Sequence, residues 1–244
     1  MIYRADLHIH TVLSPCGDIE MTPRHIVKAA KKRGLHIIGI TDHNTTLQCA
    51  EVEKVGEREG LHVLCGVELN TREEVHALAF FETPQHLTEF QIFLDKHLPP
   101  VKNNVEKFGY QLVINEEEEV LQEVDYLLFS ALTIGIEEIE VEVHRLEGIF
   151  IPAHINRVQN SILSQLGFLP TDLKVDALEL SRHTTIPAFL EKNKYLSKYP
   201  FIQSSDAHLP EDIGAIYTEL EMDKISFSNI RQAIIAHTSS FLPT

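Results

Sequence analysis

The sequence predicts an α/β fold whose strands close into a barrel. Two observations carry that expectation. Strand-sized apolar runs alternate with helical patterns for most of the chain, the signature of βα units. Six of those runs also begin or end in His, Asp or Glu: RADLHIHT (4–11), IIGITDHN (37–44), VLCGVELN (63–70), EVHALAFF (74–81), IFIPAHIN (149–156) and FIQSSDAH (201–208). An open doubly wound sheet offers a ligand one crevice, whereas a barrel gathers the ends of many strands on one face. Ligand-type residues from so many runs favour closure.

The first strand is expected over about 2–9. The helix after it has Thr22 as N-cap, Pro23 at its first position and Gly34 past its end. Lys31, Lys32 and Arg33 fall in its last turn, where the helix dipole favours cations, so solvation accounts for that basic cluster. A strand at 36–41, a helix near 46–59 stopped by Gly60, and strands at 61–67 and 75–81 follow. A helical stretch covers 85–98, followed by the turn signals Pro99, Pro100 and Gly109. The acidic run Glu116–Glu119 is expected to open another helical segment as a solvated first turn. Residues 136–147 read as a helix ended by Gly148. The section 84–147 is the least regular and is expected to cap the barrel mouth. Strands at 149–153, 175–180 and 201–205 alternate with helices at 158–166 and 186–198, and a strand near 215–221 and a helix near 226–237 come last. No repeat, low-complexity tract or linker divides the chain, so 1–244 reads as one domain.

Hydrophobic residues make up 43% of the 244, enough for a large core. Every apolar stretch is strand-sized, so none spans a bilayer. The N-terminal MIYRADLHIH runs directly into a strand without a signal-peptide pattern, which predicts a cytoplasmic protein. Cys16, Cys49 and Cys65 form neither a disulfide framework nor a CxxC zinc site, in keeping with a reducing compartment. Cys16, in SPCGD, is the one whose loop could approach a metal. Lys and Arg number 21 against 36 Asp and Glu, a formal charge of −15. That field disfavours an extended nucleic-acid track. Bound cations would invert the sign locally and admit a phosphorylated substrate.

His8 and His10 stand two apart on a strand, so both imidazoles point to the same side and can grip one ion. Asp42 and His43 end the next strand, and Glu68, whose two oxygens could bridge two ions, ends the third. His76, His154, Asp206 and His208 complete the set. Each alone is an ordinary core or surface residue; together they indicate a polynuclear metal centre and metal-dependent hydrolysis.

The ordered motifs DLHIHT, TDHN, GVE, PAHI and SSDAH, spanning residues 6–208, resemble those of the PHP family (polymerase and histidinol phosphatase). The resemblance implies a distorted, seven-stranded TIM-like barrel with up to three metal ions. Members include histidinol phosphatases, nucleotide phosphoesterases and nuclease domains of bacterial DNA polymerases. Carried onto this chain, it implies His8, His10, Glu68 and Asp206 at a first metal, a bridging Glu68 with His76 and His154 at a second, and His43, His208 and a carboxylate at a third. The family carboxylate follows the first motif as HTxxSDG, where this chain has Pro15. Asp18, five residues before Pro23, is expected to take that role across a three-residue insertion.

Asp6 and Asp42 are expected to accept the outer ring N–H of ligand histidines and fix their tautomers. Arg157 and Arg182 are candidate phosphate contacts, and His183 a candidate acid for the leaving group. Mixed His and carboxylate donors suit Zn²⁺, Mn²⁺ or Fe²⁺ better than Mg²⁺ or Ca²⁺. The expected enzyme is a metal-dependent phosphoesterase acting on a small phosphorylated metabolite or nucleotide through a metal-activated water, with Glu68 and Asp206 in catalytic roles and Asp206 orienting that water. Three alternatives share part of the pattern: an exonuclease on short oligonucleotides, a catalytically silent metal-binding module, and an amidohydrolase. The DH–GxE–DxH motif order speaks against the last.

Overall fold

The computed structural model describes residues 1–237 of the chain. β1 (Ile2–Ile9) lies beside β2 (Ile37–Ile40), and β2 beside β3 (His62–Asn70), both pairs parallel. β4 (His76–Phe81) and β7 (Ile149–Pro152) continue this sheet with each neighbour antiparallel. β8 (Leu178–Leu180) and β9 (Phe201–Gln203) form a parallel pair. Isolated hydrogen bonds join that pair to the sheet on both sides. Ile155 N–H donates to Glu179 O at 2.9 Å, and His10 N–H to Ala207 O at 3.0 Å, where Ile9 and Ala207 form a parallel bridge. The circuit β1-β2-β3-β4-β7-β8-β9 thus returns to β1 as a distorted barrel. β10 (Thr218–Glu221) pairs antiparallel with the first half of β1, outside the circuit.

Helices α1 (Pro23–Lys32), α2 (Cys49–Glu59), α3 (Pro84–His97), α5 (Ile136–Arg145), α6 (Ile162–Leu166) and α7 (Ile186–Lys192) lie between strands. Their caps follow local chemistry. Thr22, Thr83, Ser161 and Thr185 each accept a backbone N–H from the first turn, and Gly60 closes α2 at φ 68°. Ala5, Leu7, Leu64, Leu78, Phe80, Ile151 and Ile202 form one apolar cluster drawn from around the circuit. Phe227, Ile230 and Ile234 of α8 (Phe227–Ala236) join that cluster. Ile9, Ile38 and Ile40 instead pack with Ile26, Val27 and Val52 of α1 and α2. Among the described residues no helix is long and apolar enough to cross a membrane.

One irregularity in β1 sets up the site. Asp6 pairs with Ile38 but Ile9 pairs with Ile40, so β1 carries an extra residue between them. A bulge of this kind shifts the alternation of side chains. Ala5 therefore sides with the central cluster, whereas Ile9, four residues on, faces the helices. His8 and His10 are turned to the inner side at the mouth.

Two expectations are corrected. The βα pattern implies parallel neighbours for the strand expected at 75–81, but β4 runs antiparallel to both β3 and β7, with His76 at its start as the expected bounds place it. The turn 71–75, with Thr71 N–H on Val75 O at 3.0 Å and Glu74 at φ 58°, folds β4 back along β3. The acidic run Glu116–Glu119 is a hairpin turn, not a helix start. It joins β5 (Leu112–Ile114) to β6 (Val120–Glu123), and Asn115 Oδ1 accepts the Glu119 N–H at 2.8 Å. The short α4 (Val105–Phe108) precedes this hairpin. Beyond it, Leu128 and Ser130 carbonyls accept from Asn44 Nδ2, each at 2.8 Å, and hold Phe129 over the mouth.

Candidate metal centre

Glu68, 1% exposed at the inner end of β3, is the hub. Its Oε1 lies 3.3 Å from His8 Nε2, 2.9 Å from His76 Nδ1 and 3.0 Å from His154 Nε2. Its Oε2 lies 3.3 Å from His10 Nε2 and 3.1 Å from His43 Nδ1. Asp206 Oδ1 stands 3.4 Å from both His8 Nε2 and His10 Nε2, and these two nitrogens are 3.3 Å apart. Donors about 2.0–2.1 Å from a tetrahedral ion stand roughly 3.3 Å from one another. The His8, His10, Glu68 and Asp206 atoms have that mutual spacing. His43 Nδ1 is buried and makes no hydrogen bond despite its approach to Glu68. Two acceptors turned toward a common point behave this way when a cation belongs between them. The donor set therefore fits divalent metal ions.

The ligand rings are oriented from behind. His8 Nδ1–H donates to Glu179, with Oε2 at 3.0 Å, which turns Nε2 toward Asp206 and Glu68, where its lone pair would meet a metal that displaces its proton. Ser14 Oγ donates to Asp42 Oδ1 at 2.6 Å and so accepts from His10 Nδ1–H at 3.0 Å. Asp42 also accepts Thr11 N–H and Thr11 Oγ1–H, each at 2.7 Å. It acts on His10 through Ser14 and touches no ring nitrogen itself, unlike the expected direct contact. Asp6 departs further from expectation. It accepts Ser205 N–H at 2.9 Å and Gly214 N–H at 2.8 Å, anchoring the segment that carries Asp206 and His208. His154 and Asp206 hold left-handed backbones, at φ 31° and 53°. Such conformations cost on the order of 1–3 kcal/mol each and concentrate at functional sites.

Charge is balanced inside the cluster. Burial would raise Glu68, but His76, His8 and His43 hold it well below the usual carboxylate range. Burial opposes ionisation of Asp206 too, yet His8 and His10 keep it far below that range. Burial would lower His8, but Glu179 and then Glu68 raise it well above its ordinary value. For His10, burial is likewise overcome, chiefly by Asp206 and Glu68, and its pKa rises to about 9. His43 is pushed well below the usual value by burial, with His10, His76 and His208 adding to the effect. Burial, then His10, brings His208 down to about 4.

A cleft of about 420 Å³ opens above Glu68, lined by Cys16, His43, His76, Phe129, His154, Arg157, His183, Asp206 and His208, among others. Arg157 Nη1 lies 2.6 Å from Asp206 Oδ2 at its edge, and His183 is exposed on its wall. Two expected residues are not brought there. Arg182 is turned away, 2.6 Å from Asp212 Oδ1, and does not line the cleft. The Asp18 carboxylate accepts Glu20 N–H at 2.8 Å in its own loop. Its side chain is absent from the converging donor groups among the described residues, and the sulfur of Cys16 stands there with His10, His43 and His208. Sequence reasoning missed Glu179 and Ser14. The signal for Glu179 is a lone acidic residue between two buried leucines in ALELS, facing the side opposite to them.

The PHP domain model matches residues 6–151, and the PHP-associated model matches residues 196–239. An uncharacterized protein of Methanocaldococcus jannaschii is 41% identical over 78 residues, covering 29% of this chain and 46% of that protein. The chain spans about half the length of the curated relatives it matches first. The lesion-specific endonuclease EndoQ of Pyrococcus furiosus superposes over 97% of this chain and 56% of its own, with a TM-score of 0.73 and 24% identity. A Bifidobacterium adolescentis protein ascribed metal-dependent phosphoesterase activity covers 96% of each chain at a TM-score of 0.65 and 22% identity. At these identities the two structures establish a shared fold.

Proposed function

The chain belongs to the PHP domain family, and from that membership we propose that it is a metal-dependent phosphoesterase acting on a small phosphorylated molecule or a nucleotide. The observation that carries the reading is the ring of donors around Glu68 at ligand spacing, set at the floor of a small cleft. His8, His10, Glu68 and Asp206 would hold one divalent ion, and Glu68 with His76 and His154 a second. His43 and His208 are left for a third. Bound transition metals would supply a polarised water near neutral pH and neutralise phosphate charge.

The protein's own groups supply the rest. Asp206 directs one oxygen at His8 and His10 and the other at Arg157. It can therefore orient a nucleophile while its partner guanidinium receives a phosphate oxygen. His183 faces the same space and is the candidate proton donor to the leaving group. Phe129 packs edge-on against His43 at 4.9 Å between ring centroids, an apolar rim beside that imidazole. The cleft volume suits a metabolite-sized ligand.

Endonuclease action is the second reading, favoured by the likeness to EndoQ, which has also been captured with duplex DNA bearing an abasic lesion at its active site. The −15 charge weighs against it, because a duplex needs phosphate-neutralising cations along its track. A panel of phosphorylated metabolites, assayed separately with Mn²⁺ and Zn²⁺ beside a labelled abasic-site duplex, tests both. Turnover of small phosphate esters with the duplex left intact is expected. Cleavage of the duplex alone would reverse the choice, and no hydrolysis of any phosphate ester with metal bound would overturn the phosphoesterase reading.

A further inference from the structure

We propose that Cys16 is a thiolate ligand at the third metal position, completing a sulfur-containing site with His43 and His208. The inference rests on the metal-dependent reading of this cluster and concerns which atom fills its open corner. One ligand atom from each of His10, Cys16, His43 and His208 lies within 4.8 Å of the others. His10 Nε2 is shared by Glu68, Asp206 and His8 at the first position, whereas His43 Nδ1 approaches Glu68 Oε2 alone, at 3.1 Å and without a hydrogen bond; Cys16, His43 and His208 are the donors left for the third.

The loop that presents Cys16 is built for the purpose. Ser14 N–H donates to Thr11 O at 3.1 Å and Gly17 N–H to Ser14 O at 2.9 Å, two successive tight turns. A Cβ on Gly17 would meet Thr11 O at 2.1 Å, so only glycine lets the second turn close. Asp42 clamps Thr11 and Ser14 from beneath. Asp18 N–H donates to His208 O at 2.9 Å, tying the far side of the loop to the segment that supplies the other ligand. Cys16 is held between these two clamps and lines the cleft with His43 and His208. The buried Nδ1 of His43, which has no hydrogen bond and stands 3.1 Å from Glu68 Oε2, is a second sign that a cation belongs at this end of the cluster.

Coordination forms a metal–sulfur bond and releases the thiol proton to solvent. The resulting N₂S set is softer than one completed by carboxylate, so the third position should prefer Zn²⁺ over Mn²⁺. The full chain is stripped with chelator, reloaded with Co²⁺ as a spectroscopic probe and with Zn²⁺, and analysed for metal content. The wild type should show a near-ultraviolet thiolate-to-cobalt charge-transfer band. C16S should lose the band and one equivalent of Zn²⁺, while Zn²⁺ binding at the His8 and His10 position persists as a sign of intact folding. C16D should restore the equivalent without the band and shift its preference toward Mn²⁺. A C49S/C65S double variant should keep the band. Absence of the band in the Co²⁺-loaded wild type, or its survival in C16S, overturns the proposal; so does full Zn²⁺ stoichiometry in C16S with affinity weakened less than about tenfold. Loss of all metal binding in the wild type would instead overturn the metal-dependent reading. The spectrum and stoichiometry are independent of turnover, so a silent protein that keeps the band would sink only the phosphoesterase proposal.

Discussion

Glu179 reaches His8 across the barrel interior, its Oε2 3.0 Å from His8 Nδ1, and the same oxygen accepts the backbone N–H of His154 at 2.9 Å. One buried carboxylate thus fixes the tautomer of one ligand and the backbone of another. Groups that hold a ligand from behind contribute roughly ten- to hundredfold in metal affinity. Glu179→Ala should lower metal affinity by that factor, and Glu179→Gln, which keeps an acceptor oxygen, by less. Chelator competition measures the loss, and equal affinity in wild type and Glu179→Ala would contradict it.

Glu68→Ala should abolish turnover and release two ions together, because Glu68 stands between the His8–His10 pair and the His76–His154 pair and touches all four rings. Metal content per chain and hydrolysis of the best substrate from the screen are the paired readouts. Near-normal activity in this variant would be incompatible with the site.

Stability should depend on pH with opposite sign in the stripped and loaded protein. The His10 pKa rises to about 9 against an ordinary 6.5, so its charged form stabilises the metal-free fold. That contribution is complete below about 6.5 and is lost as pH rises through about 9. Metal must displace the same proton, so metal affinity should climb over this interval. Melting temperatures at pH 6 and pH 9, with and without Zn²⁺, test the crossing. Parallel shifts in both states would refute it.

Arg157→Ala should raise KM for a phosphate ester roughly ten- to hundredfold, the worth of one charged hydrogen bond. Arg182→Ala, its partner Asp212 lying outside the cleft, should leave KM unchanged. A larger effect from the second variant would reverse the assignment of the two arginines.

The strand-end histidines were legible because strand periodicity and adjacency are local properties: His8 and His10 share a side whatever the remainder of the chain does. The βα alternation gave the barrel for the same reason. What failed depended on the path of the chain in space. Asp18 was expected from its spacing to Pro23, but the turns at Ser14 and Gly17 carry the loop so that the exposed Cys16 lines the cleft and Asp18 bonds to its own Glu20. The direction of β4 was invisible, because His76 reads alike at either end of a strand. Glu116–Glu119 carries the charge of a helix start, yet the Asn115 side chain organises a hairpin there. Glu179 needed knowledge of which side of β8 faces inward, and that comes only from the assembled circuit.

The bridge between Ile9 and Ala207 joins the first strand to a segment nearly the whole chain away. During synthesis the early histidines emerge long before Asp206 and His208 exist to meet them. Loop-closure entropy delays contacts between such distant segments. The proposed metal centre would therefore be a late product of folding, and a ribosome-bound intermediate would expose half of its candidate ligands to whichever cations the cell has in excess.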